Sequence, residues 1–202
     1  RCLSRGLGDV YKRQDINSVP LNNRSFGNVM TKLNEQPQVV IILVEGAAIG
    51  GGLGLACVSD ITLVHQETKF RLSETSLGIP PAQIAPFVVQ RIGITNARYL
   101  MLTGAKFDGK KAFEIGLAHA VFQDSCQMEQ RLADILSEIN ECAKNANAAT
   151  KKILLKALCS PMTETLDFAS FEFANCMLGD EGREGVSAFL EKRKPFWVEN
   201  DG

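Results

Sequence analysis

A chain of 202 residues that is 45% hydrophobic can bury a core, and a formal net charge of -1 leaves no summed field to draw in nucleic acid or an anionic membrane. No apolar run reaches the roughly 20 residues that span a bilayer. Six cysteines without CxxC or metal-ligand spacing read as buried thiols of a reducing, intracellular compartment, either cytoplasm or mitochondrial matrix, and the lone His65 and His119 read as solvated or core residues rather than ligands.

Residues 1–14, RCLSRGLGDVYKRQ, show neither helical nor strand periodicity and look foreign to the rest of the chain. Residues 15–23 are loop-like, and 24–35 predict a short helix with Phe26, Val29, Met30 and Leu33 on one face. Residues 39–54, VVIILVEGAAIGGGLG, are the centre of the chain: an unbroken apolar strand, covered on both faces, runs into a glycine turn and then a small-residue helix over 52–58. Gly50, Gly51 and Gly52 carry no Cβ, which leaves backbone N–H groups open at the positive end of a helix dipole, where a developing oxyanion is stabilised.

Strands follow at 61–65 and 68–72, and Glu74 comes directly after them, a carboxylate at a buried strand end. Prolines 80, 81 and 86 stiffen the next stretch. A short helix closes at Gly93, a second at Gly104, and Asp108 is the expected N-cap of a third that ends at Gly116. The last third reads as helical. Helix 163–178 is apolar over more than one stripe, which predicts packing against two neighbours, another subunit among them. The end carries Lys192, Arg193 and Lys194 beside Phe196 and Trp197.

Four ordered blocks, GAAIGGGLGLACVSD, FRLSETSLGIPPAQIAPFVVQRIG, ARYLMLTGAKFDGKKAFEIGLAHAVF and EGVSAFLEKRKPFW, together resemble the enoyl-CoA hydratase/isomerase (crotonase) superfamily from about Asp15 to Trp197. The SETSLG and PAQIAPFVV wording is similar to the branch that hydrates methylglutaconyl-CoA and isohexenylglutaconyl-CoA. The resemblance implies an α/β fold, a crotonase-like ββα spiral over residues 15–125 that lacks the family's N-terminal turns, with a C-terminal helical trimerisation region over 126–202. It implies an acyl-CoA thioester substrate, no separate cofactor or metal, and a homotrimer or dimer of trimers.

Residue by residue, Gly51 matches the glycine whose N–H holds the thioester oxygen. Glu74 matches the later of the family's two catalytic glutamates. Gln14 falls where the second oxyanion donor belongs, Ile16 lies in the tail of the CoA-binding loop, and Lys192 and Lys194 match lysines that approach the nucleotide end of CoA. Two departures stand out. Gly54 replaces the earlier glutamate, so a water held between two carboxylates is unavailable and a single-glutamate isomerase becomes the alternative. The family's segment before Asp15 is replaced by residues 1–14, which predicts one supported oxyanion donor, a deficit of about 10²–10³ in turnover, and uncovered strand edges.

A non-catalytic relative that assembles only with longer partners is a further alternative. A dinucleotide fold fails because Cys57 stands at the third fingerprint position and two paired strands come next. The hydratase reading requires the Gly51 N–H and the Glu74 carboxyl to face one thioester across a cavity.

Overall fold

A computed structural model describes residues 18–199, so Gln14, Asp15 and Ile16 lie outside the described residues. The described residues divide into two compact units, one built from 18–34 and 40–128 and the other from 35–39 and 129–199.

The first unit begins with helix α1 (Ser18–Asn34), longer than the 24–35 expected from periodicity. The apolar stretch at 39–49 then breaks into two strands instead of one. β1 (Ile41–Val44) pairs in parallel with β3 (Ile61–His65), and β2 (Ala47–Ile49) pairs with β4 (Lys69–Arg71) in a second sheet. Gly46, at φ 73°, makes the corner between them, a conformation open to glycine and strained for other residues. The same alternation recurs with β3 beside β1 and β4 beside β2, and two shorter strands, β5 (Lys106–Phe107) and β6 (Ala120–Phe122), complete the sheet orders β2-β4-β5 and β1-β3-β6. Helix α2 (Gly51–Val58) follows the first pair, and helix α3 (Ala85–Thr103), kinked at Gly93, follows the second. This is the expected mixed α/β architecture of successive ββα turns.

Asp60 sets the register of β1 on β3, since its Oδ2 accepts from Val40 N at 2.7 Å while its own N–H donates to Val40 O. Only Val44 of β1 is buried; Ile41, Ile42 and Leu43 are half-buried, short of the two-sided burial expected. β1 ends the strand order among the described residues, so one of its edges has no strand beside it.

β5 (Lys106–Phe107) and β6 (Ala120–Phe122) are too short to show a sequence pattern; β5 runs antiparallel to β4 and stacks Phe107 on Phe70 with ring centroids 5.2 Å apart. Asp108 caps helix α4 (Gly109–Glu114) as expected, accepting from Lys111 N at 2.9 Å. The core joins Met30, Leu53, Val64, Phe70, Leu72, Ile84 and Val88.

A polar staple ties this unit together. Arg91 donates to Ser59 O, Leu117 O and Thr62 Oγ1, and its Nη2 lies 3.2 Å from His119 Nδ1. Thr62 N also donates to His119 Nδ1, at 3.0 Å, so that nitrogen must be the unprotonated one. Partial burial of the ring, with the Arg91 charge, holds the His119 pKa below the ordinary histidine value. The unfolded chain therefore takes up the proton first as pH falls. The stability that neutral His119 contributes is complete above the unfolded value, about 6.5, and is lost as pH falls through the folded one. Urea midpoints at pH 7.5 and pH 5.5 are expected to fall more steeply for the wild type than for His119→Gln; parallel losses would remove His119 from the staple.

The cysteines depart from expectation. Cys57 is buried, and burial pushes its thiol up to about 12, but Cys126, Cys142 and Cys159 are exposed and Cys176 half-buried. Cys126 and Cys176 lie on helices, and Cys142 and Cys159 lie in the turns that follow helix ends.

The second unit is helical: α5 (Ser125–Asn140), which enters it at Glu129, leads to α6 (Lys144–Ala157), α7 (Met162–Leu178), α8 (Asp180–Glu191) and the short α9 (Phe196–Glu199). α7 packs against both α6 and α8, the two neighbours its apolar breadth predicts. It still leaves Leu166, Phe171 and Phe173 exposed, and α8 leaves Phe189 82% exposed. Among the described residues no helix is long and apolar enough to cross a membrane.

Candidate active site

Gly50 turns the chain from β2 into α2 at φ 56°, ψ -118°, a combination that is strained for any residue with a Cβ. Its N–H donates to Arg71 O at 2.9 Å, which fastens the turn to β4, and its carbonyl accepts the first helical bond, from Gly54 N at 3.0 Å. Gly51 and Gly52 therefore open α2 with N–H groups that have no carbonyl four residues back in the helix, at the positive end of its dipole.

Glu74 opens a 3-10 turn (Glu74–Leu77) three residues after β4 ends at Arg71. The turn is held on several sides. Arg71 donates to Gly104 O and Ser76 Oγ, Ser76 Oγ donates to Ser73 O, and Thr75 Oγ1 donates to Met101 O. So fixed, the Glu74 carboxyl lies against the Cα of Gly50: a Cβ built there would stand 2.7 Å from Glu74 Oε1. The second oxygen, Oε2, is buried and meets no hydrogen-bond donor among the described residues. An unmet buried carboxylate oxygen is costly, and such groups persist where a ligand or a reaction uses them.

Gly51 and Glu74, far apart in sequence, are thus brought to one turn. The cavity expected between them is a different matter. Phe26, from α1, presses the tip of its ring toward Gly51, where an added Cβ would stand 3.1 Å from Cζ. A cavity of about 650 Å³ lies in the helical unit between α6, α7 and α8, and one of about 190 Å³ lies beside Tyr99 and Phe107; neither is lined by Gly51 or Glu74.

Gly54, the position of the missing glutamate, is filled from outside. An added Cβ would come within 2.5 Å of Ile84 Cγ2 and 3.2 Å of Met30 Cε, and Ile84 is only 3% exposed. A second carboxylate has no room there. Gly54→Ala is expected to destabilise by about 1–3 kcal/mol through overpacking against a stiff β-branched neighbour. Adding Ile84→Ala should recover part of that loss in thermal unfolding, and strictly additive losses would exclude the contact.

Lys192 and Lys194 are exposed in the helical unit, Lys192 in the left-handed conformation at φ 54° that ends α8. Arg193 between them is committed to Glu184 and Glu191. Gln14 and Ile16 lie outside the described residues. Sequence reasoning singled out neither Gly50 as the residue that meets Glu74 nor Phe26 and Ile84 as neighbours of the glycines. The signal for Gly50 was its place at the head of the triplet; Phe26 and Ile84 carry none beyond being apolar.

The family model for enoyl-CoA hydratase/isomerase matches residues 6–200. An enoyl-CoA hydratase of Alternaria alternata is 34% identical over 154 residues, covering 76% of this chain and 51% of its own length. A peroxisomal Delta(3,5)-Delta(2,4)-dienoyl-CoA isomerase of Arabidopsis thaliana is 29% identical over 176 residues, 85% of this chain and 62% of its own. The chain thus spans between half and two thirds of these curated relatives. The solved structure of Pseudomonas aeruginosa AtuE superposes with a TM-score of 0.91 at 46% identity, over 95% of this chain and 74% of that one.

Proposed function

Because the chain belongs to the enoyl-CoA hydratase/isomerase family, we propose that it acts on the acyl group of a coenzyme A thioester and adds water across the C2=C3 bond. The observation that carries this reading is the buried, unpartnered Glu74 Oε2 beside the turn that opens α2. The thioester oxygen accepts from the Gly51 N–H, where the helix dipole favours the negative charge of an enolate. Glu74 takes a proton from water as the hydroxyl bonds to C3, and returns that proton to C2 as the enolate collapses. One carboxylate serves both transfers, in keeping with the closed pocket at Gly54. The SETSLG and PAQIAPFVV wording supports branched glutaconyl-type thioesters as the substrates.

The same closed pocket supports a second reading. A single carboxylate suffices for an isomerase, in which Glu74 removes a proton from C2 and delivers it to C4 of a 3-enoyl thioester. The two reactions differ in mass balance. Incubation with 3-methylglutaconyl-CoA should yield a product heavier by one water, and a 3-enoyl-CoA should be returned at unchanged mass with its double bond moved into conjugation. A chain that binds these thioesters yet converts neither would be the non-catalytic relative.

For CoA the proposed contacts are Ile16, Lys192 and Lys194, the lysines as point cations for phosphate at its nucleotide end, with Gln14 as the second oxyanion donor. No separate cofactor is proposed. The exposed Phe171, Phe173, Phe189 and Leu190 support assembly as a homotrimer or dimer of trimers, which light scattering on the purified chain tests.

A further inference from the structure

Gly50 and Gly51 are consecutive, and each offers the place of its missing side chain to a different group: Gly50 to the Glu74 carboxyl, Gly51 to the Phe26 ring. An acyl group whose carbonyl oxygen rests on the Gly51 N–H lies beside these two α-carbons, near the carboxyl that meets the first and the ring that meets the second. We infer that Phe26 is the wall against which the acyl chain packs, and that its ring sets the width of the acyl group the protein accepts. This role rests on the acyl-CoA reading and deepens it.

The ring is held, not loose. Phe26 is half-buried and packs against the core, and Met30, one turn further along α1, is fully buried with its Cε at Gly54. α1 therefore lays Phe26 and Met30 along α2 in register, Phe26 at Gly51 and Met30 at Gly54. Gln83 Nε2 donates to Asn23 Oδ1 at 2.8 Å, which ties α1 to the segment that follows the Glu74 turn. The spacing between ring and carboxyl is consequently fixed by the fold. An apolar wall there also keeps water from competing for the oxyanion donor.

Width at such a wall is read as a ratio of affinities. Butyryl-CoA and 3-methylbutyryl-CoA differ by one methyl group at C3, a difference that hydrophobic sites resolve by about 10-fold or more. Calorimetric titration of both into the wild-type chain, Phe26→Ala and Phe26→Leu gives the ratio for each protein. A general loosening of the fold affects both thioesters alike and cancels. Phe26→Ala is expected to move the ratio toward 3-methylbutyryl-CoA by about tenfold, and Phe26→Leu to move it in the same direction by less. A ratio that stays within about twofold of wild type in both variants, or moves toward butyryl-CoA, overturns the inference. So does a wild type that binds neither thioester. If both bind and the ratio moves while no enoyl-CoA is converted, the reaction assignment fails and the role of Phe26 stands.

Discussion

Glu74→Gln is expected to lower turnover by about 10²–10⁴-fold, the range contributed by a positioned acid-base group, while leaving the fold at least as stable as before. The substitution keeps the shape of the side chain and removes its ability to carry a proton between water and C2. Its stability arm follows from the geometry. Oε2 is buried and meets no hydrogen-bond donor among the described residues, and desolvating that carboxyl oxygen is a cost to the native state. A neutral amide avoids that cost, and a substitution that stabilises while it inactivates is characteristic of a site whose strain serves a reaction. Rates with 3-methylglutaconyl-CoA and a 3-enoyl-CoA, set beside thermal unfolding of the same preparations, check both arms. Wild-type rates in the variant would remove Glu74 from the mechanism. Lost rates accompanied by a lowered melting temperature would make it a structural carboxylate.

The largest loss of stability is expected at Arg91. Its guanidinium serves Ser59 O, Leu117 O and Thr62 Oγ1 from one planar fork, and a leucine of similar reach satisfies none of them. Thr62 Oγ1 keeps its bonds to Ser59 Oγ and Ala56 O, so the cost falls on the two carbonyls. At about 1–3 kcal/mol for each unmet buried group, Arg91→Leu should cost about 3 kcal/mol. For a chain of this size that corresponds to a melting temperature lower by roughly 6–12 °C. Arg91→Lys should fall between, because a single ammonium cannot reach all three acceptors. A leucine variant within about 1 kcal/mol of wild type would mean that water replaces the guanidinium.

Legibility in the sequence followed the range of the physics involved. The turn into α2, the cap at Asp108 and the breaks at Gly93 and Gly104 were legible because each is settled within a few residues, by a missing Cβ or a side-chain oxygen reaching a nearby N–H. The apolar stretch at 39–49 misled for the same reason. Nothing local distinguishes one long strand from two short ones that join different sheets, and only Gly46 marks the corner. Burial of the cysteines was misjudged because helical spacing tells which residues share a face, without telling which faces another element covers.

From the sequence alone came the family, the ββα order, the helical end of the chain and the interest of the glycine turn and Glu74, since motif spacing and local backbone chemistry suffice for these. Tertiary structure decided which atoms meet: that Glu74 abuts Gly50, that Ile84 closes the position of the second glutamate, that Phe26 covers Gly51, and that Arg91 gathers three distant acceptors. Those contacts join side chains far apart along the chain, and close packing, which carries no periodicity, brings them together.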